Sequence, residues 1–278
     1  MEFTTLEHLQ SEQILQVINQ SFADYIVPMQ LTAEKLASKI ISEQIDLSIS
    51  VGAFENNQLV GFMLHGTKPS ENTFKAYNAI TGVLPKYRGN KLAVKMYDFL
   101  IPILKEKKYT SIQLEAITSN TPALKSYIET GFTITRILEC YKGKNRRMED
   151  IDPSIEIISD WQLDSFDWIW DWEPTWQNDA LSINNAKDEI TCFVYKVEGK
   201  VIGYLMYNNL TKRVHQFAVA REYRDQRIAT KLFNALSQHD DSEVEIINLQ
   251  AEVSGAKFLN RNGFKLFVKQ YEMTLPLV

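Results

Sequence analysis

The residues best placed to do chemistry lie where an apolar strand turns into a helix, in a phrase that occurs twice. Residues 83–93 read Val-Leu-Pro-Lys-Tyr-Arg-Gly-Asn-Lys-Leu-Ala, and residues 219–229 read Val-Ala-Arg-Glu-Tyr-Arg-Asp-Gln-Arg-Ile-Ala. A helix start leaves up to four backbone N–H groups unpaired and carries roughly half a positive charge. Arg88 and Lys91 add positive charge, and Gly89 lets a ligand approach the backbone. The pattern predicts a site for an anion such as a pyrophosphate, although a solvent-facing basic pair explains the phrase alone equally well.

The repeat extends well beyond this phrase and divides the chain into two similar halves. Leu-Val-Gly-Phe-Met at 59–63 is answered by Val-Ile-Gly-Tyr-Leu at 201–205, and Gly131-Phe132 by Gly263-Phe264. A chain of 278 residues exceeds the usual size of a single core, whereas two domains of about 140 residues each are typical. We therefore predict two copies of one domain, at 1–150 and 151–278, joined near Asp150 by a polar linker.

Hydrophobic patterning between these landmarks predicts that each half is α/β (α+β), with helices flanking a mixed, mostly antiparallel sheet. The first half is predicted to contain helices at 11–22, from Thr32, at 89–107 and at 123–129, and strands at 47–54, 59–65, 73–84, 111–117 and 132–141. The second half repeats the later part of this order, with strands at 190–197, 200–207, 213–219, 243–249 and 265–273 and helices at 225–238 and 255–261. Pro102 predicts a kink or break in the third helix.

Composition excludes several classes of function. With 45% hydrophobic and 23% charged residues and a net charge of −5, the chain is typical of a globular protein and not of a nucleic-acid binder. No apolar run approaches ~18 residues and the N-terminus lacks a basic and then apolar leader, so we expect a cytoplasmic protein without membrane contact. Cys140 and Cys192 lie in apolar strand-like surroundings, which indicates buried thiols and no metal site.

The strand-to-helix phrase resembles the signature of the GNAT superfamily, the acyl-CoA N-acyltransferases. Their pattern, Arg/Gln-x-x-Gly-x-Gly/Ala after a Val-x-Pro-like strand end, is similar to Arg88-Gly-Asn-Lys-Leu-Ala93. A second motif of that superfamily, in which a strand, an Asn, a helical Tyr and a Gly-Phe follow in order, resembles Leu114-Glu115, Asn120, Ala123-Leu124, Tyr127 and Gly131-Phe132. The resemblance covers nearly all of residues 47–141.

This resemblance implies an enzyme that transfers an acetyl group from acetyl-CoA to a primary amine of a small molecule or peptide, by direct attack in a ternary complex. It implies that two central strands splay apart around the cofactor and that the helix start holds its pyrophosphate. Tyr127 would protonate the leaving thiolate, since a phenol of pKa about 10 matches that basicity. The implied cofactor-binding residues are Gly82, Val83, Leu84, Arg88, Gly89, Asn90, Lys91, Leu92, Ala93 and Asn120.

The central glycine of the family pattern is replaced by Lys91 in the first copy and by Arg227 in the second. We expect this position to adopt ordinary helical dihedrals, which do not need glycine, and the basic side chain to grip the phosphates. The second copy departs further, because Asp225 replaces Gly89 and its negative charge would repel a phosphate.

The second copy also has Leu259 where the first has Tyr127, and Glu252 where the first has Asn120. We therefore predict that the first domain binds acetyl-CoA and that the second completes the acceptor pocket or serves as a scaffold. The reverse assignment, with chemistry in the second domain, stays open.

The general base and the acceptor are less clearly indicated. Glu115 is the candidate base, at a position that the family often makes acidic, with His65 and His215 as alternatives. All five tryptophans lie within residues 161–176, which indicates either an aromatic helix packed on its sheet or the lining of a site for a cationic or apolar acceptor. A non-catalytic tandem module that binds CoA or a partner is the alternative function, and the chain is expected to be a monomer or a homodimer.

Overall fold

The computed structural model describes residues 1–27, 29–144, 151–251 and 253–277, and these form two compact units. The first unit comprises Met1–Arg136 together with Tyr271–Val278, and the second comprises Ile137–Gln270. The predicted boundary near Asp150 lies outside the described residues. The sequence does not predict that the C-terminal segment joins the first unit. No described helix has the length and apolar character needed to cross a bilayer.

The first unit contains a sheet in the order β1-β2-β3-β4-β5-β12, in which β4 and β5 are parallel and β1 to β4 pair antiparallel. Its strands are β1 (Glu2–Thr5), β2 (Val51–Glu55), β3 (Gln58–Ser70), β4 (Thr73–Val83), β5 (Tyr109–Ile117), the start of β6 (Thr133–Gly143) and the end of β12 (Lys265–Pro276). Its helices are α1 (Ser11–Ser21), α2 (Ala33–Ser42), α3 (Leu92–Glu106) and α4 (Thr121–Thr130). The third helix begins three residues later than predicted and continues through Pro102.

Two apolar clusters form the core of the first unit. Adjacent residues of a strand point to opposite faces, and Phe62 and Met63 of β3 accordingly belong to different clusters. Ile14 and Ile18 of α1 pack with Phe62, whereas α3 packs with Met63 through apolar residues four positions apart, namely Leu92, Met96, Leu100 and Leu104. Helices therefore cover both faces of the sheet, as the sequence pattern predicts.

The second unit repeats this architecture with the strand order β6-β11-β10-β9-β8-β7. Its remaining elements are β7 (Ile155–Ile158), α5 (Ala180–Asn185), β8 (Ile190–Val197), β9 (Lys200–Asn208), β10 (Arg213–Val219), α6 (Ile228–His239), β11 (Val244–Gln250) and α7 (Ser254–Arg261). The tryptophan-rich segment forms a 3-10 helix over Leu163–Ile169 followed by irregular backbone. The predicted fold, two copies of a mixed α/β domain, is confirmed.

In each unit the two parallel strands separate toward their carboxyl ends. β4 and β5 stay paired as far as Asn78 and Leu114, whereas β10 and β11 pair only at Arg213 and Glu245. Each splay begins near a β-bulge, at Ala79 in β4 and at His215 in β10. Bulges re-aim side chains and often lie beside active sites. The longer unpaired stretch in the second unit leaves more space between its strands.

Candidate functional site

The loops between strand and helix have the same backbone in both units. Gly89 and Lys91 have φ values of 79° and 54°, and Asp225 and Arg227 have φ values of 62° and 60°. The expectation of ordinary helical dihedrals at Lys91 is therefore wrong, because this position is left-handed and non-glycine residues pay about 1 kcal/mol or more for it. Alternating left-handed residues form a concave nest of N–H groups. Between Gly89 and Ala93, and between Asp225 and Ala229, no backbone N–H in the described chain donates to a carbonyl.

The arginines that open these loops have a structural role in both units. The Arg88 Nε donates to the Val83 carbonyl at 3.2 Å, and its guanidinium binds both carboxylate oxygens of Asp24 at 2.7 and 2.8 Å. In the second unit, Arg224 Nε donates to the Val219 carbonyl at 2.9 Å, and its Nη2 lies 2.9 Å from Asp171 Oδ2. Each arginine therefore links the end of a strand to an aspartate earlier in the chain, Asp24 or Asp171. The backbone N–H groups of the loop stay available to bind an anion.

The basic side chains at the replaced glycine differ between the two units. Lys91 Nζ lies 2.5 Å from Glu129 Oε1, so the predicted grip on a phosphate competes with an ion pair within the first unit. Arg227 is exposed, lines a cavity and has no ion-pair partner in the described part of the second unit. The second loop therefore offers an uncommitted cation beside its nest.

Side chains of the first unit link the elements around its splay. Tyr127, on α4, is hydrogen-bonded to Thr81 on β4, and Asn120 Nδ2 donates to the Tyr25 hydroxyl at 2.9 Å. A Cβ added to Gly82 would come within 2.6 Å of the Phe62 ring, so the backbone there is closely covered. Burial, opposed by the bond to Thr81, raises the pKa of Tyr127 to about 12, which makes the phenol a weaker acid than the sequence suggests.

Glu115 is also enclosed in the first unit. Its Oε2 accepts from the Tyr77 hydroxyl, and its Oε1 is buried without a hydrogen-bond partner among the described residues. Burial raises its pKa to about 8, against the lowering effect of Tyr77 and with further increases from Glu272 and Glu43. Glu115 is protonated at neutral pH and is a poor base in that state.

A cavity of about 770 Å³ opens in the splay of the second unit, within the range of small-molecule sites. Its wall combines β10, β11, the start of α6, α7 and the tryptophan-rich segment. The residues that replace Thr81 and Tyr127 in this copy are Phe217 and Leu259, which cannot form the cross-splay hydrogen bond of the first unit. None of the catalytic and cofactor-binding residues favoured by the sequence lines this cavity, but His215, an alternative base, does.

A chain of hydrogen bonds runs along one part of the cavity wall. Trp170 Nε1 donates to the Tyr204 hydroxyl at 2.6 Å, and that hydroxyl donates to Gln216 Oε1 at 2.6 Å. Gln216 Nε2 donates to the Asn178 carbonyl at 2.5 Å, and Asn178 Oδ1 lies 3.1 Å from His215 Nδ1. Burial, with Arg213 adding to it, lowers the pKa of His215 to about 4, against an opposing contact with the backbone of Gln177. The imidazole is therefore neutral at pH 7.

The charges around the cavity favour an anion. Lys257 and Arg261, on exposed positions of α7, line it together with Arg227. Asp225 is exposed in the loop, so its charge is screened by water, and it is among the residue types that tolerate the left-handed backbone supplied by Gly89 in the first copy. The repulsion predicted from Asp225 is therefore opposed by Arg227, Lys257 and Arg261, while Arg224, the fourth cation of the described lining, is paired with Asp171.

Two of the five tryptophans reach the cavity, and the others pack elsewhere. Trp170 and Trp172 line it, whereas Trp161 and Trp176 are 4% and 5% exposed in the core. Trp168 is stacked over Lys200 Nζ at 4.3 Å. The packing interpretation of the tryptophan-rich segment therefore holds for Trp161 and Trp176, whereas a role of Trp170 and Trp172 in holding an acceptor stays a prediction. The signal in the sequence that distinguishes the second splay is the presence of Phe217 and Leu259 where the first copy has Thr81 and Tyr127.

Comparison with known proteins agrees with this geometry. The model of the acetyltransferase (GNAT) family matches residues 16–132 and 155–264. No curated protein matches the chain.

Solved structures with a similar fold include a tandem GNAT protein and other acetyltransferases of similar length. A tandem GNAT protein from the clavulanic acid biosynthesis pathway aligns with a TM-score of 0.70 at 12% identity, covering 100% of this chain and 98% of that one. A GCN5-related N-acetyltransferase from Sphaerobacter thermophilus aligns at 0.69 and 14% identity, covering 95% and 92%. A putative acetyltransferase from Pyrococcus horikoshii aligns at 0.69 and 14%, covering 99% and 89%.

Proposed function

Because the chain belongs to the acetyltransferase (GNAT) family, we propose that it is an N-acetyltransferase that uses acetyl-CoA and a primary amine, and that its active site lies in the second unit. The observation that carries this proposal is the cavity of about 770 Å³ in the splay between β10 and β11. The sequence favoured the first unit, but the side chains of Arg88, Lys91 and Asn120 there are engaged with other side chains of the same unit. The second unit combines an open splay, a nest and uncommitted cations.

The residues of the cavity fit acetyl-CoA in three respects. The N–H groups from Asp225 to Ala229 are unpaired in the described backbone and would hold the pyrophosphate. Arg227, Lys257 and Arg261 would neutralise the phosphate charges of the nucleotide end. The unpaired edge of β10, from Val214 to Val219, would hydrogen-bond the pantetheine amides, since β11 leaves this edge free.

The chemistry requires an amine that has lost a proton and an acyl carbon within its reach. When bound, acetyl-CoA supplies an acyl group activated as a thioester. The amine nitrogen forms a bond to the acyl carbon, the bond from that carbon to sulfur breaks, and the proton of the amine passes to a base. His215 lines the cavity in its neutral form and is the proposed acceptor of that proton. With Leu259 in place of a tyrosine, the thiolate takes its proton from solvent.

The proposal is tested by charge reversal at equivalent positions of the two loops. Arg227→Glu should abolish binding of acetyl-CoA, whereas Lys91→Glu should leave it unchanged. Acetyl-CoA at about 100 times its dissociation constant stabilises the folded protein by roughly 2.7 kcal/mol, which raises Tm by about 5–10 °C. The measurement is the thermal shift of wild type and both variants, with Arg227→Lys as the conservative control. A shift lost in Lys91→Glu and kept in Arg227→Glu would return the cofactor to the first unit.

Catalysis is then separated from binding by thiol release in the presence of amines. His215→Asn should lower kcat at least tenfold and leave the thermal shift intact, because asparagine can hydrogen-bond Asn178 but cannot accept the proton. Binding of acetyl-CoA without thiol release for any amine would instead support the non-catalytic binding module.

A further inference from the structure

One wall of the second-unit cavity contains Trp170, Tyr204, Gln216 and Asn178. The polar groups of these residues already form hydrogen bonds with one another. The single indole donor of Trp170 is used by Tyr204, and Tyr204 in turn donates to Gln216. Asn178 Nδ2 donates to the Ile247 carbonyl at 2.8 Å while its Oδ1 faces His215. What this wall presents to a ligand is therefore mostly aromatic carbon.

The aromatic rings of this wall are held in place by their neighbours. Tyr204 stacks on Phe166 with ring centroids 5.0 Å apart, and Phe217 meets Phe233 edge-on at 5.1 Å. Rings fixed in this way offer contact area at a small cost in conformational entropy. The wall is therefore preorganised to receive a flat or apolar body.

The carboxylates in the described lining, which could attract a polycation, are either bound in ion pairs or lie in the anion-binding loop away from the aromatic wall. Asp171 Oδ1 lies 2.9 Å from Arg221 Nη2, and Asp171 Oδ2 lies 2.9 Å from Arg224 Nη2. Asp225 belongs to the anion loop, and it is the other carboxylate in the described lining. Arg227, Lys257 and Arg261 also line the cavity and repel cations.

Resting on the proposed function, we infer that the acceptor is a small monoamine whose amino group is carried by an apolar, aromatic body, bound against Trp170 and Phe217. A polyamine, an aminoglycoside or a lysine-rich peptide needs several carboxylates, and the described lining offers none that is free near the aromatic wall. An aromatic ring instead replaces water on the faces of these side chains and leaves one amino group to reach the acyl carbon.

The inference is tested by calorimetric titration of tryptamine and spermidine into the protein saturated with CoA. Tryptamine should bind at least tenfold more tightly than spermidine. Trp170→Ala should weaken tryptamine about tenfold, since a buried aromatic contact is of that order, and Trp170→Phe should restore most of the affinity. Trp168→Ala is the matched control, because Trp168 is 47% exposed and does not line the cavity.

Equal or tighter binding of spermidine, or unchanged tryptamine binding in Trp170→Ala, overturns the inference. Failure of the proposed function is recognised separately, because it removes the thermal shift with acetyl-CoA. In that case the same titrations into the ligand-free protein still measure whether the aromatic wall selects tryptamine.

Discussion

Replacing Glu115 by glutamine separates two roles for the first unit, because the same change affects stability if Glu115 is structural and activity if it is the base. The carboxyl has a pKa of about 8 in the folded protein against 4.5 in the unfolded chain. Between these values the unfolded state holds fewer protons than the folded state, so stability decreases as pH rises. Each pH unit in this window costs up to about 1.4 kcal/mol, and the step from pH 5 to pH 7 therefore costs about 2–3 kcal/mol.

We expect Glu115→Gln to remove this cost, because the amide oxygen can still accept from the Tyr77 hydroxyl and carries no charge. The free energy of unfolding of the variant relative to wild type should therefore increase by about 2–3 kcal/mol from pH 5 to pH 7. The measurement is urea unfolding followed by circular dichroism. Tryptophan fluorescence, whose five residues lie in 161–176, reports the second unit in the same samples. Glu106→Gln, at an exposed position of α3, is the control.

Thiol release provides the decisive second readout for Glu115→Gln. The proposed function requires that Glu115→Gln keep its activity, because Glu115 lies in the first unit and the proposed active site lies in the second. Activity lost with acetyl-CoA binding intact, or a stability difference that does not grow from pH 5 to pH 7, would refute this reasoning and restore Glu115 as the candidate base.

For two further substitutions in the first unit, the structure predicts the direction in which stability changes. Tyr127→Phe should cost about 1 kcal/mol of stability, the usual contribution of a buried hydrogen bond. Thiol release should stay within twofold of wild type. A tenfold loss of thiol release would instead make Tyr127 a catalytic acid. His65→Leu should reduce the acid sensitivity of the fold. Burial, opposed by the backbone of Met63, lowers the pKa of His65 from 6.5 to about 3, so wild type loses up to about 2 kcal/mol from pH 6.5 to pH 5 as the unfolded state takes up a proton. Urea unfolding at both pH values should show this loss in wild type and not in His65→Leu, and equal losses would contradict the prediction.

The fold could be predicted from the sequence because its signals are local or repeated. The spacing of Leu92, Met96 and Leu100 predicts a helix, the apolar run in β3 predicts a strand, and the duplicated phrase predicts that the order occurs twice. The left-handed backbone at Lys91 was not predictable in this way, because lysine carries no preference for it. The contribution of Tyr271–Val278 to the first unit depends on contacts more than 130 residues apart, for example between Thr135 and Glu272.

The sequence could not decide between the two candidate sites for a related reason, because a motif does not show the partners of its residues. Arg88 matches the family pattern, yet its guanidinium is committed to Asp24, which lies 64 residues away in sequence. Whether a cavity forms depends on which side chains occupy the space between the two parallel strands. Pairs of residues such as Thr81 and Tyr127 determine this. Single-residue matches cannot reveal such pairs.

The two loops share a nest of N–H groups but differ in the side chains around it. Both copies keep the same left-handed positions, although glycine occupies only one of the four. Since non-glycine residues pay for this backbone, the geometry costs free energy in both units and is retained in both. In the first unit, hydrogen bonds from Tyr127 and Asn120 join the elements beside the splay, and we propose that these residues stabilise the fold. In the second unit, apolar Phe217 and Leu259 stand where the first unit has Thr81 and Tyr127, beside the cavity that the loop borders.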